Sequence, residues 1–381
     1  MAFFYPIVHI KEVAMAKPKG QLSTPSSPTL PPGRIRSPAV AGSWYPGDPN
    51  ELARTVDGFL AAVEPLDGEP IALLVPHAGY DFSGSVAACG FKQLAETGYD
   101  VAVIIAADHQ LPLSNPISVW AEGGFETPLG VVPVDIDLAK ALIAADPRIT
   151  FDPEAHLGEH PIEIELPFLQ CVCPSCCIVP VLMGADDEKT VEVLTKALLA
   201  TLPNRRVVVI ASSDLSHYPQ QKDALRVDKT LLAAIETGDP ATVEATMAVI
   251  EEAQVPDLVT SACGKGPILV VMGIAQGLGA NTTTVLRYAN SADSPRGDSE
   301  HVVGYGAVMF WRYDPPDLTA TRRDELLALA RAAIAEYLQT GHIPTYETDD
   351  PVLTRRAGAF VTLRKRDQFP TSPEMSLRGC I

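Results

Sequence analysis

Basic residues are scarce in this 381-residue chain: 29 lysines and arginines stand against 47 aspartates and glutamates, a formal net charge of −18. So acidic a surface repels phosphate backbones and anionic headgroups, which argues against nucleic acid and against membranes as partners. Long apolar runs are missing as well. None reaches the roughly 18 residues that a membrane-spanning helix needs. The opening stretch, MAFFYPIVHIKEVAMAKPKG, lacks a basic n-region and is interrupted by Pro6, His9, Lys11 and Glu12, so it makes a poor signal peptide. Met15 offers a plainer start, which makes the first fourteen residues a candidate start-site artefact. The seven cysteines are an odd number and few for this length, which does not fit a secreted disulfide framework. The expectation is a cytoplasmic protein with reduced thiols. No internal repeat is visible. What the chain does have is an apolar fraction of 46%, which can supply a sizeable core.

Residues 17–38 are rich in Pro, Ser, Gly and Lys without apolar periodicity, so residues 1–35 read as a disordered leader. From Ala39 the pattern changes. Leu52, Val56 and Phe59–Leu60 recur at helical spacing behind a capping Asp or Asn at 48–50. Short Val- and Ile-rich runs follow: Ile71–Val75, Val101–Ala106, Ile178–Met183, Val207–Ala211, Thr283–Tyr288 and Val302–Trp311. Such runs suit strands buried on both faces. Helical stretches at 83–95, 137–145, 188–201 and 223–236 lie between several of them. Strands alternating with helices predict a layered α/β domain, a mainly parallel sheet flanked by helices, over residues 36–313. DPPD at 314–317 breaks the rhythm, and 314–323 reads as a linker. A helix over 322–339 carries an apolar stripe through Leu326, Leu327, Leu329, Ala330, Ala333 and Ile334, and a strand-like run covers Ala359–Leu363. Residues 324–381 therefore open a second, α+β segment.

Three of the apolar strands end alike. IALLV runs into Pro76–His77–Ala78–Gly79–Tyr80, VAVIIAA into Asp108–His109–Gln110, and VVVIA into Ser212–Ser213–Asp214–Leu215–Ser216–His217. In an open α/β sheet, ligands bind in the crevice outside the carboxyl ends of the strands, so three histidines delivered there are placed to converge. Each alone is more simply a hydrogen-bonded loop residue. Together they point to function, since neutral imidazole is the commonest metal ligand and the usual general base near neutral pH. The chain holds only eight histidines in all, which makes the coincidence more telling.

His156 and His160 are four apart, but Gly158 and Pro161 argue against one helix through both, so the pair is not an i,i+4 metal clamp. Pro161 fits the first turn of a helix, PIEIELPFLQ. On it, Glu163 and Glu165 read as surface acids, whereas Glu159 and His160, just before it, are better placed to reach a cleft. Asp214, three residues before His217, is placed to orient that imidazole and raise its basicity. Cys263 lies in SACGKGP, a loop opening the helix PILVVMGIAQ. A thiol near a helix N-terminus favours thiolate, a soft ligand for copper(I), zinc or iron. The competing reading is a small buried residue in a glycine-rich turn. CVCPSCC at 171–177 has the cysteine density of a metal knuckle but lacks a second ligand pair at finger spacing, so it reads as thiols at a helix–strand junction, with adventitious metal binding or a disulfide as the lesser alternatives.

Taken together, these stretches resemble the Memo family. The matching segments are AVAGSWYPGDPNEL at 39–52, PHAGYDFSGSVAA at 76–88, DHQLPL at 108–113, GEHPIEIELPFL at 158–169, PVLMG at 180–184, SSDLSHY at 212–218, CGKGPI at 263–268 and YANSADS at 288–294. They lie in family order across nearly all of residues 36–313. The resemblance implies that His77, His109 and Cys263 are metal ligands, and it places the histidine of SSDxxH at His217. The Memo fold is similar to class III extradiol dioxygenases, in which two histidines and a carboxylate hold iron and another histidine serves as acid/base. Here Cys263 stands where that comparison wants a carboxylate, so the resemblance implies a redox-active iron or copper site rather than ring cleavage. Residues 324–381, with LARAAIAEYL, GAFVTL and LRGCI, resemble the start of an AMMECR-type domain. That resemblance implies a place in the AmmeMemoRadiSam system, with AMMECR-type and radical SAM partners.

Three function classes follow. The first is a metal-dependent oxidoreductase with iron or copper on His77, His109 and Cys263, in which His217, backed by Asp214, moves protons beside His160 and Glu159. The second is a non-catalytic module whose pocket binds a peptide or small molecule. The third is a zinc-dependent hydrolase, since two histidines and a cysteine leave one position open on a tetrahedral ion.

Overall fold

The computed structural model describes residues 30–110, 113–202, 205–313, 319–342, 348, 362–365 and 376–380. Most of the expected leader, the DPPD break and much of the C-terminal segment lie outside the described residues. The strands in chain order are β1 (Ile35–Arg36), β2 (Pro70–Val75), β3 (Val101–Ala107), β4 (Ile117–Val119), β5 (Gly124–Thr127), β6 (Gly130–Pro133), β7 (Ile149–Thr150), β8 (Cys177–Met183), β9 (Val207–Ser212), β10 (Thr282–Asn290), β11 (Gly304–Trp311), β12 (Thr362–Lys365) and β13 (Ser376–Cys380). The α-helices are α1 (Pro49–Ala61), α2 (Tyr80–Phe91), α3 (Ile136–Ala145), α4 (Pro153–Leu157), α5 (Leu166–Val172), α6 (Glu188–Thr201), α7 (Gln221–Glu236), α8 (Pro240–Glu252), α9 (Lys265–Gly277) and α10 (Ala320–Thr340).

An eight-stranded sheet in the order β10-β11-β2-β9-β3-β8-β4-β7 forms the centre. Its inner strands β2, β9, β3 and β8 are parallel neighbours. Every residue from Val101 to Ala106 on β3 is fully buried, as a Val/Ile run covered on both faces requires. Helix α9 packs across β2, β9 and β3, and α2 packs against β2, β10 and β11. The mainly parallel sheet expected from the sequence holds for this centre, while β10, β11 and β4 join it antiparallel. Between β10 and β11 the chain forms only a 3₁₀ turn at Ser291–Asp293, without the α-helix that a parallel crossover usually uses. Sheet β1-β5-β6 is separate, and β12 pairs antiparallel with β13.

The start of α1 follows its sequence signals. The Asp48 side chain accepts hydrogen bonds from the Asn50 and Glu51 N–H groups, Pro49 takes the first turn, and Leu52, Val56 and Leu60 are buried. Helix α10 is capped by Thr319 and closed by Gly341 at φ 73°. None of its residues 321–340 is buried, and the stripe from Leu326 to Ile334 is only half covered apart from exposed Leu327. No described helix is long and apolar enough to cross a membrane.

Three sequence expectations are corrected. Pro161 does not open a continuous helix: Glu163–Glu165 forms a 3₁₀ turn and α5 begins at Leu166, with Pro167 in its first turn. Glu163 and Glu165 are not surface acids but lie fully buried. Cys173 and Cys176 are joined in a disulfide rather than left as thiols, because the turn between α5 and β8 brings their Cα atoms to 5.5 Å. Cys89, Cys171, Cys177 and Cys263 are free.

Candidate metal centre

Strands β2, β9 and β3 lie side by side, so their carboxyl ends share one edge of the sheet. His77 follows β2 by two residues, His109 follows β3 by two, and His217 follows β9 by five. Cys263 arrives from the loop before α9. Its approach depends on Gly264, where a Cβ would fall 2.6 Å from the Cβ of Ser213. The Gly264 N–H donates to Ser213 Oγ at 2.8 Å, and the Asp214 N–H points at Cys263 Sγ at 3.3 Å. These contacts dock the start of α9 onto the end of β9.

His77, His109 and Cys263 each present one donor atom, and the three atoms lie within 4.8 Å of one another. Metal bonds of about 2.0–2.3 Å would draw them slightly closer. The hydrogen bonds show which nitrogens are available. His77 Nε2 is 3.3 Å from Cys263 Sγ, while its Nδ1 is 2.9 Å from Ser212 Oγ. His109 Nδ1 lies 3.0 Å from the Ala107 carbonyl, which only accepts, so Nδ1 carries the proton and Nε2 is bare. Two imidazoles and a thiol whose donor atoms meet at the edge of a cleft form a donor set that fits a mononuclear metal ion. Among the described residues this is the one group with that property.

The cleft has a volume of about 590 Å³ and is also lined by Trp44, His160, Asp214, His217, Tyr218 and Arg296. His160 sits between the ligand set and the wall: its ring centroid is 5.5 Å from that of His77, 5.1 Å from that of His109 and 4.4 Å from that of Trp44. Burial holds its pKa down at about 3, with His109 and Arg36 adding to the effect, so it is neutral at pH 7. Glu159 Oε1 accepts the backbone N–H groups of His109 (2.6 Å) and Gln110 (2.7 Å), which fixes the loop that carries His109. His156 faces away: it is buried against Trp120 and bonded to Ser118 Oγ at 2.9 Å, a core histidine.

His217 lines the cleft outside the three-ligand group, and Asp214 does not orient it. The Asp214 carboxylate accepts the His77 N–H at 2.8 Å, and His217 Nδ1 donates to the Leu215 carbonyl at 2.9 Å. The backbone turn spends Asp214 on the neighbouring strand end, and burial raises its pKa to about 7. Cys263 departs from expectation too. Its thiol is pushed up to about 12 by burial, reinforced by Asp214, so dehydration outweighs the helix N-terminus and the sulfur is protonated without a metal.

Residues 36–309 match the family described as Memo-like protein. The chain belongs to the Memo family. MEMO1 family proteins of Methanopyrus kandleri and Methanobrevibacter smithii are 37% and 35% identical to it over 290 and 289 residues, covering 73% and 72% of this chain and 99% of each relative. Residues 327–381 match the family described as AMMECR1. The crystal structure of an uncharacterized protein from Escherichia coli K12 aligns over 62% of this chain and 98% of its own, with TM-score 0.41 and 16% identity.

In and behind this Memo-family cleft, sequence reasoning missed Trp44 and Arg296 on its lining and Ser212 beneath His77. Trp44 and Ser212 sit inside motif stretches noted above, so position alone could have raised them. Arg296, ion-paired with Asp81 at 2.5 Å across the cleft, carries no local signal.

Proposed function

We propose that this Memo-family domain is a metal-dependent redox protein, with His77, His109 and Cys263 holding one iron or copper ion. The observation that carries the reading is the donor set itself, two imidazole nitrogens and a sulfur within 4.8 Å beside an open cleft. A soft sulfur donor favours copper or iron over magnesium or calcium. A bound ion would supply Lewis-acid and one-electron chemistry and would displace the proton of the Cys263 thiol. The chain's own residues do the rest. Glu159 and the Ala107 carbonyl hold His109 with Nε2 toward the cleft. His217, its Nδ1–H committed to Leu215, offers a bare Nε2 to a substrate proton, and burial lowers its pKa, which keeps it in the base form at neutral pH. Trp44 and neutral His160, in ring contact, form one wall of the cleft. We extend the proposal to AMMECR-type and radical SAM partners. The AMMECR1 match within the same chain supports the first of these.

Elemental analysis of anaerobically purified protein tests the reading. The expected result is iron or copper near one equivalent, retained in His217→Ala and lost in His77→Ala and Cys263→Ala. Protein free of iron, copper and zinc would overturn it. Colourless, zinc-replete protein would replace it with a hydrolase. A second reading, an adaptor that binds a peptide or small molecule, is favoured by Trp44 and Tyr218, which are 40% and 47% exposed at the cleft. Capture of a radical SAM partner unchanged by His77→Ala would support it.

A further inference from the structure

Behind His77 lies a polar cluster that neither the fold nor the cleft accounts for. Ser212 and Glu165 are both fully buried, and one oxygen of Glu165 has no hydrogen-bond partner. Ser212 Oγ stands at the meeting point of three contacts: His77 Nδ1 at 2.9 Å, the Pro161 carbonyl at 2.8 Å and Glu165 Oε1 at 2.9 Å. We propose that Ser212, backed by Pro161 and Glu165, is the positioning residue that fixes the His77 tautomer and so makes its Nε2 the metal-binding atom.

The argument is a count of protons. A serine hydroxyl has one proton and two lone pairs. The Pro161 carbonyl can only accept. If Glu165 is ionised it too can only accept, and the Ser212 proton goes to one of these two oxygens. If Glu165 is protonated, it donates to Ser212 Oγ and the Ser212 proton goes to Pro161. Burial pushes the Glu165 carboxyl well above its usual range, which favours the second arrangement and leaves a neutral carbonyl as the unpartnered oxygen. In both cases Ser212 has no proton left for His77. Nδ1 must therefore donate, and Nε2 faces Cys263 Sγ with its lone pair bare. The opposite tautomer would strand the Pro161 carbonyl in the core and aim an N–H at the metal position. Partners of this kind, one step behind a metal-bound histidine, set ring orientation and ligand basicity, and their loss typically costs about 10- to 100-fold in metal affinity.

This inference rests on the metal reading for its consequence but not for its core. Protein labelled with ¹⁵N-histidine, metal-free, reports the tautomer through the Nδ1 and Nε2 shifts, with the His77 signal assigned by its loss in His77→Asn. The expected result is a protonated Nδ1 in the wild type and in Glu165→Gln, whose amide can still donate to Ser212, and loss of that preference in Ser212→Ala. Zinc(II) affinity, read by competition with a chromophoric chelator, should fall about 10- to 100-fold in Ser212→Ala and hold in Glu165→Gln. An unprotonated Nδ1 in the wild type would overturn the proposal without any variant having to fold. Equal zinc affinity in a folded Ser212→Ala would overturn its functional half. Wild-type protein that takes up no zinc, iron or copper would bring down the metal reading, and the tautomer measurement would still decide the role of Ser212.

Discussion

Two polar clusters adjoin one another near the carboxyl ends of the central strands, and they are built on opposite terms. In the first, Arg36 is buried and ion-paired with buried Glu163. Arg36 also donates to the His156 and Glu159 carbonyls, and Glu163 accepts the Ala39 and Val40 N–H groups and the Tyr45 hydroxyl. The guanidinium donates on three of its nitrogens and the carboxylate is satisfied at both oxygens. In the second, His77, His109 and His217 each commit Nδ1 to a hydroxyl or a carbonyl and leave Nε2 toward the cleft. Saturation marks the first cluster as a clamp that ties the segment carrying Trp44 to the loop carrying Glu159 and His160. The spare lone pairs of the second mark it as a binding site. Burial separates the two only in part, since His109 is exposed and His217 half-buried while His77 is as buried as Glu163; the count of unspent donors and acceptors separates them fully.

The largest effect should come from breaking the clamp. Arg36→Ala or Glu163→Ala strands a buried charge, and the expected loss is about 3–5 kcal/mol in denaturant unfolding. A loss under about 1 kcal/mol would show that the ion pair is open to water.

Acid comes next. His156 and His160 are held neutral by burial at pKa about 3, against an unfolded value near 6.5. Above that unfolded value both states are neutral and these groups contribute no pH dependence. Below it the unfolded chain takes up protons that the folded protein refuses. The share of stability that these two rings supply should then fall as pH drops from about 6.5 toward 3, by up to roughly 1.4 kcal/mol per pH unit for each group. The raised Asp214 and Glu165 carboxyls act with the opposite sign, so the measure is the difference between wild type and His156→Gln in unfolding curves at pH 7, 6 and 5: the variant should lose less stability on acidification. Equal pH dependence in the two proteins would mean that the His156 ring takes up a proton in the fold as readily as in the unfolded chain.

Smaller effects are expected at the cleft. His109→Ala, measured without metal, should change stability by no more than about 1 kcal/mol, because its ring bonds only the Ala107 carbonyl of its own loop. A larger loss would make the cleft part of the clamp. Smallest of all should be cleavage ahead of α10, whose residues 321–340 are nowhere buried. Limited proteolysis should cut between Tyr313 and Asp324 and leave a core with an unchanged unfolding midpoint. Protection of 322–339 from hydrogen exchange equal to that of β3 would show instead that the helix is integral to the fold.

The contrast between clamp and cleft also shows what a sequence discloses. The strands that deliver His77, His109 and His217 were legible because Val/Ile runs ending in histidine state both a buried strand and its exit point. The convergence with Cys263 was legible through motif order. Glu163 and Glu165 were misread as surface acids, because alternation with Ile162, Ile164 and Leu166 says nothing about which neighbours arrive from elsewhere. Their partners, Arg36 and Ser212, lie 127 residues before and 47 residues after them. The Asp214–His217 pairing failed for the same reason: three residues of separation allowed it, but the neighbouring strand end claimed the carboxylate first.

The most direct test of the metal centre is X-ray absorption at the metal edge of iron- or copper-loaded protein, compared with Cys263→Ala. The expected spectrum has one sulfur at about 2.3 Å and imidazole nitrogens at about 2.0–2.1 Å, with the sulfur shell gone in the variant. A first shell of oxygen and nitrogen alone, identical in both proteins, would place the metal elsewhere and contradict the account.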